Sequence, residues 1–498
     1  MHLHLEIPVP SKIDIRPTPL LLHLPPEILS EIFLWYKDIL DPYSAFSDGA
    51  CDLYDHYRDP SDPFPEKNDI SPALLLLGRL CYSLRAIAWS TPQLWTHISL
   101  TLSHIQSRRS TQVANLTSWL ARSCELPLHI RLESSVMPHA RWSTESQFPH
   151  DHAFAAIEVI ASHRSRLEEL SLALPYECFS RLFRTHNTKV MPMLKRLTLL
   201  PLRTSESAEY VEGFPHMSVF PEAVALAEVN LLNFPPRTLM RTLPWAQITR
   251  FRGHSMPLSH SLYVLQRSPQ LETCTISWAL GYPGLASPLL HERIHTLSLE
   301  GSTTALKYLT LPALVTLQIK TRRLFPAEQC IQLLQRSGLA AGLELGASKL
   351  RILDISANFI PATDLLECLD ATPMLRELKV LNRDDSIHSL FSDLLVKRLT
   401  LEGGKLDLVP DLQRLEVHGC SCQFNIGALG KMLQSRWASS APSKECGEAC
   451  DRSKRKGPLE VFRLVASSSS PLSIWEDVMY SRRVWRIIEE GMVVSVAV

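Results

Sequence analysis

His291-Glu292-Arg293-Ile294-His295 is a literal H-E-x-x-H string, the arrangement in which two imidazoles one helical turn apart hold zinc and the glutamate serves as base. That chemistry needs a helix. Ile294 instead opens a strand-like triplet with Leu297 and Leu299, which sets His295 at a strand entrance and makes the two rings diverge, and Ser298 stands where the longer motif has glycine. Two surface histidines and no metal are expected. His418, Cys420, Cys422, Cys446 and Cys450 gather five soft ligands, but Cys-x-Cys and Cys-x-x-x-Cys suit zinc poorly, and Cys420 reads better as an inward structural position. No nucleophile elbow, phosphate-binding glycine loop or G-x-G-x-x-G occurs. The basic run Arg452, Lys454, Arg455, Lys456 reads as a solvated loop, with nuclear import as the alternative. No catalytic residue, metal or cofactor is expected from these strings.

Composition narrows the class further. The 498 residues carry 51 Lys+Arg against 51 Asp+Glu, so bulk charge draws the chain neither to nucleic acid nor to anionic lipid. No run reaches the roughly 18 apolar residues of a membrane helix, and Met1 to Pro19 mixes Glu6, Lys12 and Asp14 with prolines where a signal peptide needs an apolar core. A cytoplasmic or nuclear protein, or both, is expected, with reduced cysteines acting as small buried hydrophobes.

The elements that could position a site fall into two kinds. Leu24-Pro25-Pro26-Glu27-Ile28-Leu29-Ser30-Glu31-Ile32-Phe33 opens a helix, with Pro26 in a first-turn position and Glu27 complementing the dipole. Asp38 to Ile70 then carries nine acidic residues against Arg58 and Lys67, a loop composition. A second helix carries Leu74, Leu77, Leu80, Leu84 and Ile87, and a third spans about Ser110 to Ser123 before the strand-like Leu128 to Leu132. Leu24, Pro25, Ile28, Leu29 and Ile32 are too few to form a core alone, so the stripe marks either a protein contact or an N-terminal cap.

From Leu167 onward apolar residues recur at relative positions 0, 3 and 5: Leu167/Leu170/Leu172, Leu194/Leu197/Leu199, Leu226/Val229/Leu231, Leu271/Cys274/Ile276, Ile294/Leu297/Leu299, Leu314/Leu317/Ile319, Leu350/Leu353/Ile355, Leu375/Leu378/Val380, Val396/Leu399/Leu401 and Leu412/Leu415/Val417. At the unselected positions 2 and 4, nineteen of twenty residues are polar, Ile352 being the exception. A strand alternates faces, so positions 3 and 5 point into a core and 2 and 4 away from it. Units of this kind stack into a leucine-rich-repeat solenoid, an α/β architecture of curved parallel sheet with helices and loops on the convex side. Asn358 and Cys420, at position 8, are expected to turn inward. Unrelated αβ units are the alternative. Ser435 to Lys456 reads as a loop, followed by a unit with Leu459/Phe462/Leu464 and a helix near Trp475 to Glu490.

Leu24 to Leu29 with Ile32-Phe33, then Arg79-Leu80-Cys81-Tyr82-Ser83-Leu84-Arg85-Ala86-Ile87-Ala88 and Ser90-Thr91-Pro92-Gln93-Leu94-Trp95, resemble an F-box. Trp119-Leu120-Ala121-Arg122-Ser123 with Leu126-Pro127-Leu128 is similar to the stretch before the repeats in a large fungal group with an F-box and C-terminal irregular leucine-rich repeats. Leu84 stands where that family usually has tryptophan, and the acidic segment separates the two halves of the motif. The resemblance implies a tail (1–19), an F-box-like helical module (20–100, insertion 38–70), a helical linker and cap (101–160), repeats (161–434), a mobile loop (435–457) and a last repeat or cap (458–498). It implies a substrate-recognition subunit of an SCF-type ubiquitin ligase, with an adaptor subunit and an unidentified target protein as partners. Expected adaptor contacts are Leu24, Pro25, Pro26, Ile28, Leu29, Ile32 and Phe33, with Leu80, Leu84 and Ile87 behind them. Expected target contacts are Arg196, Glu228, Asp354, Glu377, Lys379, Arg398 and Arg414. A repeat scaffold with a degenerate F-box, and more remotely a zinc hydrolase using residues 291–295, are the alternatives.

Overall fold

The computed structural model describes residues 24–40, 81–102, 106–134, 151–175, 178–179, 191–202, 223–232, 243–279, 281, 287–343, 348–383, 392–401, 407–420, 425–438, 459–466, 481–489 and 491–497. It is α/β and divides into two compact units, Met1–Leu182 with Leu202–Glu206, and Phe183–Pro201 with Ser207–Val498.

In the first unit, helices α1 (Pro26–Leu40) and α2 (Tyr82–Ser90) pack together. The Cys81 Sγ accepts the Leu84 N–H at 3.5 Å and caps α2, while Thr91-Pro92 ends it and starts a 3₁₀ turn, Pro92–Trp95. Three parallel strands follow, β1 (His97–Leu102), β2 (Leu128–Ser134) and β3 (Leu167–Pro175), joined through α3 (Gln106–Arg122) and α4 (Asp151–Ser162). Arg166 is buried, and its guanidinium donates to the carbonyls of Leu120, Cys124 and Leu126 and to Ser123 Oγ. It thereby satisfies carbonyls that the end of α3 leaves open.

The second unit is a succession of parallel strands: β4 (Arg196–Leu202), β5 (Glu228–Leu232), β6 (Arg250–His254), β7 (Thr273–Ser277), β9 (Thr296–Glu300), β11 (Thr316–Lys320), β12 (Ile352–Ala357), β13 (Glu377–Asn382), β14 (Arg414–Cys420), β15 (Val461–Ala466) and β16 (Val493–Ala497). A separate short pair joins β8 (Leu289–Leu290) and β10 (Leu309–Thr310). Helices α5 (Leu258–Arg267), α6 (Ala327–Ala340), α7 (Ala362–Asp370), α8 (Asp393–Leu399), α9 (Ile426–Ala438) and α10 (Arg482–Glu489) connect them.

One local rule builds each unit of the stack. The N–H at position 0 closes a turn on the carbonyl three residues earlier, as in Leu194 to Met191, Leu226 to Ala223, Ile248 to Trp245, Leu271 to Ser268, Leu314 to Leu311 and Leu412 to Val409. The chain then extends, and positions 3 and 5 go inward: Leu197, Leu199, Val229, Leu231, Leu297, Leu299, Leu317, Ile319, Leu353, Ile355, Leu415 and Val417 are all buried. Each such side chain contributes about 1.5–3 kcal/mol by leaving water. Neighbouring strands align equivalent positions, so Thr296, Thr316, Ile352, Glu377 and Arg414 stand side by side.

Three expectations need correction. Val396/Leu399/Leu401 is no strand: Asp393–Leu399 is helical, because Leu395, Val396 and Leu399 also satisfy helical spacing and bury there. Residues 435–438 belong to α9, and Arg436 is buried rather than in a loop. Asn358 is only partly buried at its strand end, its N–H on the Arg323 carbonyl. Strands β1, β6 and β16 were unassigned by the sequence pattern. The segments 1–23, 41–80 and 439–458, including Leu80, most of the acidic insertion and the basic cluster, lie outside the described residues. Among the described residues no helix is long and apolar enough to cross a membrane.

Candidate functional site

Two surfaces, one in each unit, gather the residues singled out by sequence. On α1 and α2 the same arrangement occurs twice. Leu29 and Phe33 at i, i+4 are buried, while Ile28 and Trp35 at i, i+7 face out with Trp35 69% exposed. Leu84 and Ala88 at i, i+4 are buried, while Tyr82 and Trp89 at i, i+7 face out, Tyr82 being 82% exposed. The inward stripes supply the helix-pair core, and Ser30 Oγ lies 3.0 Å from Thr91 Oγ1 between them. The Arg122 guanidinium stacks 4.3 Å over the Trp89 ring, with Arg85 at 6.0 Å. Leu24, Pro25, Pro26 and Ile28 are exposed, Ile32 and Ile87 partly so. Leu29, Phe33 and Leu84 are buried in the core of the helix pair. Trp35 and Trp89 were missed because the sequence reading followed the single strongest apolar stripe.

The second surface is the outward face of the strands in the second unit. In-register pairing turns position 2 into a row running Arg196, Glu228, Arg250, Thr273, Thr296, Thr316, Ile352, Glu377, Arg414. Position 4 gives a second row whose later members are Gln318, Asp354, Lys379, Glu416 and Arg463. Where charges adjoin, their signs alternate, as in Arg196, Glu228, Arg250 and in Asp354, Lys379, Glu416, Arg463, and adjacent strands are about 4.8 Å apart. Burial pushes the Asp354 carboxyl above its usual range, Lys379 and Lys320 pull it down, Glu416 raises it and His418 lowers it. Glu416 lies 3.8 Å from Arg414 and 3.7 Å from His418. Arg398 is absent from this face. It sits on α8 and reaches Asp370 at 3.1 Å, an exposed pair of little energetic weight.

At position 6 the row is polar, with His254 and Ser277 buried and Glu300 and Lys320 part-exposed. Ser277 Oγ donates to Glu300 Oε2 at 2.9 Å and Lys320 Nζ to Oε1 at 3.3 Å. Burial lowers the His254 pKa to about 4, with Glu300 opposing and Arg252 assisting. The unfolded chain then binds a proton that the native state refuses, so this contribution is complete above the ordinary histidine value near 6.5 and declines as pH falls from there toward 4. The loss should be on the order of 2–3 kcal/mol. Urea midpoints between pH 4 and 7 should therefore slope more steeply in the native chain than in His254→Gln; equal slopes would reject the assignment.

The H-E-x-x-H string lies in a turn, not a helix, because His291 occupies the turn position three residues before Ile294. Contrary to expectation His291 is buried, its Nε2 2.9 Å from the Ser268 carbonyl and its Nδ1 accepting the Arg293 N–H at 3.3 Å. Both ring nitrogens are committed to backbone. His295 is exposed and points to Glu272 at 3.8 Å. Among the described residues no group of three His, Cys, Asp or Glu is arranged to hold a metal. Cys422, Cys446, Cys450 and the Cys420 side chain lie outside the description.

No family model matches the chain. No curated protein matches it in sequence.

Proposed function

We propose that the chain is the substrate-recognition subunit of an SCF-type ubiquitin ligase, in which an F-box formed by α1 and α2 docks the adaptor and a leucine-rich-repeat solenoid holds the target protein. The observation that carries this reading is the doubled pattern on the helix pair: each helix spends one stripe on its own core and presents a second, aromatic stripe outward. Ile28, Trp35, Tyr82 and Trp89 are four large apolar side chains left in water by a small helical module, which is what a helix-mediated contact requires. Trp89 under Arg122 adds the residue pairing that dominates many interfaces. The in-register polar rows supply the complementary part, a broad face for another protein. No bond is made or broken by this chain. Its contribution is to raise the local concentration of the target near the conjugating enzyme that the adaptor complex recruits.

The test is co-purification of the full chain with the adaptor subunit. The native chain should bind, and Ile28→Asp with Trp35→Asp should weaken binding about a hundredfold, since exposed residues are changed, while far-UV circular dichroism and the thermal midpoint stay put. Adaptor binding that is absent in the native chain, or undiminished in the double variant, would reject the proposal.

A further inference from the structure

Resting on the reading above that the repeat face holds a target, we infer that the strand-exit edge around Trp278 and Arg322 binds an acidic peptide segment of that target, with an apolar side chain against the Trp278 ring. Trp278 follows β7 with φ +52, a conformation bulky residues rarely adopt, and its side chain is 42% exposed. Its N–H bonds the Glu300 carbonyl at 2.6 Å. Beneath the ring, Gly301 (φ +74) leaves space that a Cβ would take, lying 2.5 Å from the indole. Ser255 (φ +51), Trp278 and Gly301 take the same left-handed conformation directly after successive strands, so the repeat's own backbone keeps the indole at the surface.

The same edge is cationic. The Arg322 guanidinium stands 5.8 Å from the indole centroid. Arg323 and Arg383 are exposed, and Lys320 is half-exposed. Backbone bonds run along the edge from strand to strand: Gly301 N–H to Lys320, Thr321 N–H to Ser356 and Arg383 N–H to Ala357, at 2.7, 2.7 and 2.9 Å. The nearby acid Glu300 is already engaged by Ser277 and Lys320. Among the described residues no carboxylate forms an ion pair with Arg322, Arg323 or Arg383. Guanidinium forks beside an indole suit carboxylates on a strand that also carries an apolar residue. A phosphate backbone fits less well. One exposed indole offers no series of stacking platforms for successive bases.

Fluorescence anisotropy on the full chain tests this, with labelled oligoglutamate carrying one central leucine as probe. An oligolysine peptide of the same design and a single-stranded RNA of equal length serve as comparisons. The acidic peptide should bind, weaken with added salt, and lose about tenfold in affinity in Arg322→Glu with Arg323→Glu, as expected for reversed charges at an interface. Trp278→Ala should weaken binding about fivefold, and Arg322→Lys should retain most of it. No binding of the acidic peptide, indifference to charge reversal in variants with native thermal midpoints, or tighter binding of the oligolysine or the RNA would overturn the inference. The measurement involves no adaptor, so its failure leaves adaptor docking standing, and failed adaptor docking leaves this result interpretable.

Discussion

Gly419→Ala should destabilise the second unit by about 4 kcal/mol, through a left-handed backbone and overpacking together. Gly419 has φ +69, and a Cβ built there would lie 1.9 Å from the Asn382 carbonyl oxygen and 3.0 Å from its carbon. Those atoms are backbone at the end of β13, so no side-chain rotation relieves the collision. The pairing of β14 with β15 shifts register between His418 and Cys420, which makes Gly419 the extra residue of a β-bulge. Gly342 provides the control, since it has nearly the same φ of +72 but nothing within 4 Å of the added carbon. Gly342→Ala should cost only about 1–2 kcal/mol, the conformational penalty alone. Urea unfolding of both variants separates the two costs. Equal losses would show that the approach of β14 to Asn382 is not close. The bulge matters for the outward face, because it follows directly on Glu416 and His418.

The strand rows were legible in the sequence because one physical requirement repeats: Leu317 and Ile319 must leave water while Thr316 and Gln318 must not. The reading failed where another contact filled the same need. In β6 the inward position 5 is Gly253, and a Cβ there would fall 2.9 Å from the Phe251 ring. The phenyl group already fills that space, so the strand lacks its third apolar letter. Val396, Leu399 and Leu401 failed the opposite way, having the letters while Leu395, Val396 and Leu399 satisfy helical spacing equally well. On the helix pair Ile28, Leu29, Ile32 and Phe33 of α1 stand out in the sequence, but not their division into core and surface. Ile28 and Leu29 are adjacent and chemically alike, and only the packing of α2 decides which is covered.

Buried arginines form a third group that sequence patterns conceal, and Arg436 makes the sharpest case. Its side chain is 1% exposed; Nε donates to the Leu399 carbonyl at 2.7 Å, Nη1 to Val409 at 2.9 Å and Nη2 to Leu408 at 2.8 Å. Burial lowers its pKa to about 10, against a pull upward from Asp407, so it remains a cation at neutral pH. The fork joins the C-terminal end of α8 to the segment holding Val409, whose φ of +40 is itself strained. Arg166 does the same at the end of α3, and the part-buried Arg336 bridges the carbonyls of Leu306 and Leu309 through Nη2 at 2.8 and 3.1 Å. Irregular connections between repeats leave carbonyls facing inward, and a planar group with five donors satisfies several at once. Arg436→Ala should therefore cost about 4 kcal/mol, combining unsatisfied carbonyls with an empty volume. Arg436→Met restores most of the volume but none of the donors and should still cost about 3 kcal/mol. Arg436→Lys should fall between the native chain and Met, because one ammonium does not reach three carbonyls in a plane. If Met were as stable as Arg in urea unfolding, the guanidinium would be serving only as filler, and the connections would need another anchor.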